Sequence, residues 1–583
     1  MEYGVIGNCA HSALAEAGRI VWLCWPRMDS SPVFGSLLDE EKGGRFEVEA
    51  IDLRDVQQEY VENTNILRTV FTSDSGCFEL LDFAPRFSKH GRPFKPRMLV
   101  RILRPLKGEP LVRVRIDPTY HYGRVEITRW TASNHIEFNG LPAPLRLTSN
   151  IPLTYLNEGR SFVLAQESHL VLTYGEPLQE SIEHTSNHYY ERTRDYWRSW
   201  VKRSRIPRDY QKEVIRSALV LKLHQFEETG AIIASTTTSL PEFPGSGRCW
   251  DYRFCWLRDA YFSLNAFERL GHFDEMECFL IYLRSILDTH GDDLQPLYGI
   301  LGEAELTEEI LDHLDGFRGE KPVRISNQAH EHVQNDVYGE MILAISRMLL
   351  DSRFVGSEGL DGAGPLMEQL LGQIEQRLED PDAGLWKSRG QVQLHTFTLL
   401  THWAGARRAA EVGTIIDSSK LRDRAHRVMK RVRSIIETRC FDDESGALTQ
   451  AADTKNLDAA MLLALHFGFW ERGDPAAARH VDAIRDQLSV NGLLKRYNVE
   501  DDFGEPEAAF TVCSFWLVEA LAIVGKTNEA RLLFERLLGH GNKLGLFSEN
   551  VLPATGQMSG NFPQTYSHVG LINAAFRLSR SWE

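Results

Sequence analysis

The chain changes texture once, near residue 175, and that change constrains the fold more than any other feature. From Tyr3 to about Gly175, short segments alternate apolar and polar side chains between turn residues, as in Leu111-Val112-Arg113-Val114-Arg115-Ile116. This is the period of strands half-buried in an antiparallel sheet. Gly18 to Cys24, Asn65 to Phe71 and Ser168 to Thr173 carry the aromatic and β-branched residues of further strands. Glu183 to Val201 then runs without glycine or proline and is rich in charge and aromatics. It predicts a helix joining two domains.

Beyond Pro207, a dozen segments place apolar residues at i, i+3, i+4 and i+7, the stripe of an amphipathic helix. They start near Arg208, Leu257, Asp274, His330, Gly364, Leu394, Lys420, Thr454, Pro475, Ala508, Thr527 and Gln564. Several end at a glycine (Gly271, Gly413, Gly525, Gly539), which accepts the left-handed conformation of a C-terminal cap. Ala508 to Val524 holds a single charge, Glu519, whereas Lys420 to Glu437 is charged along one face. Fully apolar and one-sided helices in alternation predict an inner ring wrapped by an outer one. The expected division is a β domain over 1–182, a helical linker over 183–206 and a helical domain over 207–583.

Composition narrows the partners. With 43% hydrophobic and 25% charged residues the chain is globular, and its net charge of −16 disfavours nucleic acid and anionic membranes. Eight dispersed cysteines without a C-x-x-C read as reduced thiols. The start Met1-Glu2-Tyr3-Gly4-Val5 has no secretory pattern, and the apolar stretch Ala459 to Trp470 is too short to span a bilayer. A cytoplasmic protein is expected.

Three constellations carry chemistry. Gly247 to Ala260, Gly-Arg-Cys-Trp-Asp-Tyr-Arg-Phe-Cys-Trp-Leu-Arg-Asp-Ala, sets aromatics beside paired opposite charges just before a helix. Such a run either stacks on sugar rings and bonds their hydroxyls, or forms an ion-pair network under a loop. Glu549, in Leu546-Phe547-Ser548-Glu549-Asn550, is a loop carboxylate suited to act as a general base, or is merely solvated. Asp380 to Gly390 places Trp386, a sugar platform or part of a capped loop, ahead of the helix bearing His395. His330-Glu331-His332 lacks zinc-site spacing. Gly525-Lys526-Thr527 lacks the first glycine of a phosphate loop, and Asp501-Asp502 reads as a solvated turn without a second acidic motif. No metal is expected.

Together these segments resemble glycoside hydrolase family 15, the glucoamylase and trehalase-like enzymes, over nearly the whole chain. The resemblance runs from Ile6-Gly7-Asn8 and Trp22-Leu23-Cys24-Trp25-Pro26-Arg27 to Asn561-Phe562-Pro563-Gln564. Its most specific parts are Trp250-Asp251-Tyr252-Arg253, Trp256-Leu257-Arg258-Asp259-Ala260 and Asn335-Asp336-Val337-Tyr338-Gly339-Glu340. It implies an α+β multidomain fold, an N-terminal antiparallel β-sandwich followed by an (α/α)6 barrel. It also implies cleavage of α-glucosidic bonds in an oligosaccharide, disaccharide or glycoside, with inversion and no cofactor. Carried over residue by residue, Glu549 matches the general base, Arg258 and Asp259 hold the non-reducing-end glucose, and Arg496 is a further substrate-binding arginine. Trp256, Trp386 and His395 complete the expected substrate-binding set.

One position departs from the pattern. The family places its proton donor, a glutamate, directly after the tryptophan of Leu385-Trp386, and this chain has Lys387. A lysine, with an ordinary pKa of about 10.4, gives up its proton poorly and puts positive charge beside an oxocarbenium-like transition state. Three readings follow: a hydrolase whose proton comes from another group such as Glu340, Asp336 or Glu303; a non-hydrolytic enzyme on the same barrel that uses Lys387 differently; and a non-catalytic carbohydrate-binding protein.

Overall fold

The computed structural model describes residues 1–351, 363–386 and 392–582. Its N-terminal part is two facing antiparallel sheets. One runs in the order Gly4–Gly7, Ser12–Glu16, Arg19–Cys24, Arg45–Ala50, Leu111–Asp117, Phe162–Val163, with Pro32–Phe34 added beside Arg19–Cys24. The other runs Thr128–Thr131, His135–Asn139, Leu145–Ser149, Ser168–Tyr174, Met98–Gly108, Gly76–Phe83, Leu67–Ser73, Leu53–Tyr60. Strict alternation does the sorting: in Leu67–Ser73 every second residue is buried, so one face meets the opposite sheet. A buried arginine, ion-paired within its own sheet, also links the two sheets. Arg101 grips Asp82 at 2.7 and 3.2 Å and reaches across to the carbonyls of Gly18 at 2.6 Å and Phe46 at 3.0 Å. With those four bonds, the guanidinium is satisfied where water is absent.

A short helix, α1 (Leu153–Glu158), closes a loop of the sandwich, and α2 (Ile182–Arg203) leads out of it. Among the described residues twelve helices follow: α3 (Gln211–His224), α4 (Leu257–Leu270), α5 (Phe273–His290), α6 (Asp336–Leu350), α7 (Ala363–Arg377), α8 (Thr396–Ile415), α9 (Ser419–Arg439), α10 (Leu463–Phe467), α11 (Pro475–Leu488), α12 (Thr511–Ile523), α13 (Thr527–Leu538) and α14 (Thr565–Leu578). Helices α4, α6, α8, α10, α12 and α14 pack side by side, and α14 returns to α4 and closes a ring. The others lie outside it. The result is an (α/α)6 barrel. In α12 every residue from Thr511 to Leu521 is buried, whereas α9 buries only Leu421, Ala425, Val428, Val432 and Ile436, one stripe facing the ring. No helix among the described residues is long and apolar enough to cross a membrane.

Two expected helix starts are late. The segment expected from His330 first makes a single 3-10 turn, Gln328–Glu331, and α6 begins only at Asp336. The segment expected from Thr454 makes a 3-10 turn at Ala459–Leu462 before α10. Before α6, the intervening chain contributes Asn327, Ala329 and His332 to the mouth of the barrel.

Candidate active site

Residues on the segments leading into five of the six inner helices converge on one cleft of about 810 Å³, counted out to its open mouth. Trp256 precedes α4, and Asp259 sits in its first turn. His332 leads into α6, Trp386 precedes α8, Phe510 caps α12 and Gln564 caps α14. Because the N-terminal ends of these helices share one rim, their dipoles place partial positive charge around the cleft, a setting that tolerates carboxylates.

Glu549 lies in the cleft wall, with only 1% of its surface exposed. Its backbone is held from both sides. Its carbonyl accepts from the N–H of Thr511 at the start of α12 (2.9 Å), and its own N–H donates to the carbonyl of Asn561 (3.0 Å) on the way into α14. The Tyr252 hydroxyl donates to Oε1 at 3.0 Å, and the Asn561 N–H donates to Oε2 at 3.3 Å. Gly560, at φ +74°, lies against the carboxylate: a Cβ there would come within 2.6 Å of Oε2. Glycine is required at that position both for its conformation and for this contact. Burial pushes the Glu549 carboxyl up to about 7, and the negative charge of Glu242 adds to the rise. The positive charge of Arg496 and the bonds from Tyr252 and Asn561 oppose it.

The aromatic and charged motif at 248–259 divides position by position. Trp250, Tyr252, Trp256 and Asp259 line the cleft. Asp251 and Arg253 turn away and pair at 2.6 and 2.9 Å. Arg253 also donates to the Ser30 carbonyl and the Tyr122 hydroxyl, both at 2.8 Å, and so bolts this wall of the cleft to the sandwich. The ion-pair network holds at Asp251 and Arg253, while the aromatic side chains around it face the cleft.

Arg258 is buried just behind the lining, 3.6 Å from Asp259 and 4.0 Å from Asp336. Arg496 lines the cleft, with its guanidinium 5.7 Å from the Trp386 ring and 5.4 Å from the Phe510 ring, and it donates to Glu242. Trp386 lines the cleft and donates its indole N–H to Asp458 at 2.7 Å. His395 is outside the lining. Its ring packs on Gly384, where a Cβ would meet it at 2.5 Å, and burial brings its pKa down to about 4. Lys387 lies outside the described residues. Of the other candidate proton donors, Asp336 and Glu340 are fully buried between the inner helices, and Glu303 accepts from the Leu301 N–H at 3.0 Å in a loop near the surface. None of the three lines the cleft.

Sequence reasoning missed several lining residues. Asp501 is no solvated turn: Arg248 holds it at 2.9 Å, Tyr497 donates to it, and Asp501, Asp502 and Phe503 all line the cleft. Glu242, buried between two prolines in Pro241-Glu242-Phe243-Pro244, carries no periodic signal at all. No group of three or more His, Cys, Asp or Glu side chains among the described residues is arranged to hold a metal ion.

An acidic, aromatic-walled cleft at the mouth of an (α/α)6 barrel, with the carboxylates of Glu242, Asp259 and Glu549 buried in its wall, defines a class of carbohydrate-active enzyme. The comparisons narrow it. Residues 208–576 match the profile of glycosyl hydrolases family 15, and residues 3–158 match that of the trehalase-like N-terminal domain. A trehalase of Thermoplasma volcanium is 31% identical over 99% of this chain and 93% of its own length. A trehalase of Mycolicibacterium smegmatis is 30% identical over 100% and 91%. In fold, a bacterial glucoamylase solved with acarbose superposes with a TM-score of 0.72 at 15% identity, covering 98% of this chain and 93% of that one. The chain belongs to glycosyl hydrolase family 15, and it is a carbohydrate-active hydrolase of α-glucosidic bonds.

Proposed function

We propose that this protein hydrolyses trehalose, with Glu549 as the general base. The observation that carries the reading is a carboxylate sealed in the wall of an aromatic cleft at the barrel mouth, in a chain alignable end to end with trehalases. In the proposed step, Glu549 takes a proton from a water as its oxygen attacks the anomeric carbon. The bond to the glycosidic oxygen breaks and that oxygen takes a proton from solvent as it leaves; because the water attacks the face opposite the departing oxygen, configuration inverts. Asp259, backed by Arg258, holds the glucose whose anomeric carbon is attacked, and Arg496 and Trp386 contact the other sugar. Trp256 walls the cleft beside Asp259, and His395 supports the turn that carries Trp386. The relatives favour hydrolysis over the non-hydrolytic and binding-only readings. Glucose release from trehalose, compared with release from maltose, tests the choice of substrate. Release from maltose alone would overturn it.

The base must be ionised to work, and its pKa is raised to about 7. At low pH it is protonated and idle. The profile of kcat/KM against pH is therefore expected to rise with a midpoint near 7, rather than near the ordinary glutamate value of about 4.3. A midpoint at or below 5 contradicts this assignment.

The Trp386 indole is aimed by Asp458, whose second oxygen caps the Ala459–Leu462 turn by accepting the Ala460 N–H at 2.7 Å. In Asp458→Asn one acceptor remains, so the cap survives while the indole loses its partner. We expect KM for trehalose to rise by about 5- to 30-fold, the worth of a hydrogen bond of roughly 1 to 2 kcal/mol. An unchanged KM would show that the ring is held by packing alone.

A further inference from the structure

A second carboxylate stands beside Glu549, and nothing in the reading above uses it. Glu242 is 2% exposed and lines the same cleft. Its backbone is fixed on both sides: its N–H donates to the Arg248 carbonyl at 3.1 Å, and its own carbonyl accepts the Ser559 hydroxyl at 2.6 Å. The neighbouring Pro241 carbonyl accepts the N–H of Gly560, the residue pressed against Glu549. The loop bearing Glu242 and the turn bearing Glu549 are thus stitched together. Its side chain accepts from Arg496, and Arg248 approaches the same oxygen at 4.0 Å.

The placement poses a problem of base strength. Arg496 is a buried cation close enough to Glu549 to stabilise its ionised form. A carboxylate paired directly with a buried guanidinium is a poor base, because taking up a proton would cost it that pairing. Here the guanidinium is already committed elsewhere.

We propose that Glu242 is a positioning residue for the reaction: by binding Arg496 it keeps that cation off Glu549 and leaves Glu549 free to take a proton from water. The other charged or titratable groups facing the two carboxylates and Arg496 are Tyr252, which donates to Glu549; Arg248, which is shared between Glu242 and Asp501; Tyr497 and the buried Asp458, which face Arg496; and the buried thiol of Cys249. Of these, only Arg248 is a cation, and Asp501 engages it at 2.9 Å. Arg496 is therefore the cation that would move when Glu242 loses its charge.

The proposal rests on Glu549 being the base, and its test does not depend on turnover. The protonated Glu549 carboxyl is followed by infrared difference titration, its band identified by its absence in Glu549→Gln. In Glu242→Gln the midpoint is expected to fall by about 1 pH unit or more as Arg496 turns to Glu549. In Glu242→Asp, which keeps the charge, it stays near the wild-type value. The acid limb of kcat/KM for trehalose moves with the midpoint, and the loss at high pH falls on kcat more than on KM. If Glu242→Gln does not fold, Glu242→Met, of similar length and also neutral, gives the same reading. An unmoved midpoint in the neutral variant, or an equal shift in Glu242→Asp, overturns the proposal. Full hydrolysis by Glu549→Gln would instead overturn the assignment of the base, and the titration would still report on Glu242.

Discussion

Glu549→Gln is expected to lower kcat for trehalose by about 10²- to 10⁴-fold, the usual contribution of a positioned base, with little change in KM. Glutamine keeps the shape and can still accept the Tyr252 hydroxyl bond that Glu549 accepts at 3.0 Å, so the cleft should remain assembled. What it lacks is the ability to take a proton. Steady-state glucose release, together with trehalose binding by calorimetry, separates the two effects. Unchanged turnover would remove Glu549 from the mechanism.

The second large effect runs the other way. Lys387→Glu restores the residue that the family places after this tryptophan, and we expect it to raise hydrolysis by about 10²-fold or more, as a general acid does. The position directly follows Trp386, whose ring lines the cleft. A glutamate there would bring a transferable proton to the departing oxygen and, in giving it up, gain negative charge near an oxocarbenium-like transition state. With the native lysine, the leaving oxygen depends on solvent or on a weaker donor, so wild-type turnover should be modest. The comparison is made on trehalose over pH 5 to 8. A gain confined to low pH is the signature of an added acid, whereas no gain at any pH would show that the proton arrives by another route.

Much of this fold was legible because it rests on periodicity. The twelve helical stripes and the lone charge of α12 identify two rings, and the alternating strands identify the sheets. Legibility ended where a residue's role depends on a partner distant in sequence. Asp501 reads as a solvated turn until Arg248 is seen to reach it from 253 positions away. Glu242 sits between prolines, outside any helix or strand, and only the folded chain brings Arg496 to it. The motif around Trp250 was visible as a cluster, but residue types alone could not divide its cleft-lining positions from its anchoring ones, because aromatics and charges are interleaved along it. The late start of α6 has a similar cause: helical spacing continues through His330, yet the chain there is drawn into crossing the cleft mouth.

That division within 250–256 has a practical bearing on engineering substrate preference. Positions 250, 252 and 256 face the cleft, while Asp251 and Arg253 tie the segment to Ser30 and Tyr122 of the sandwich. A randomised library across the whole segment would mostly recover chains that no longer fold, since breaking a buried ion pair costs about 3 to 5 kcal/mol. A library confined to 250 and 256, with 251 and 253 held fixed, would spend its diversity on the sugar rather than on the scaffold.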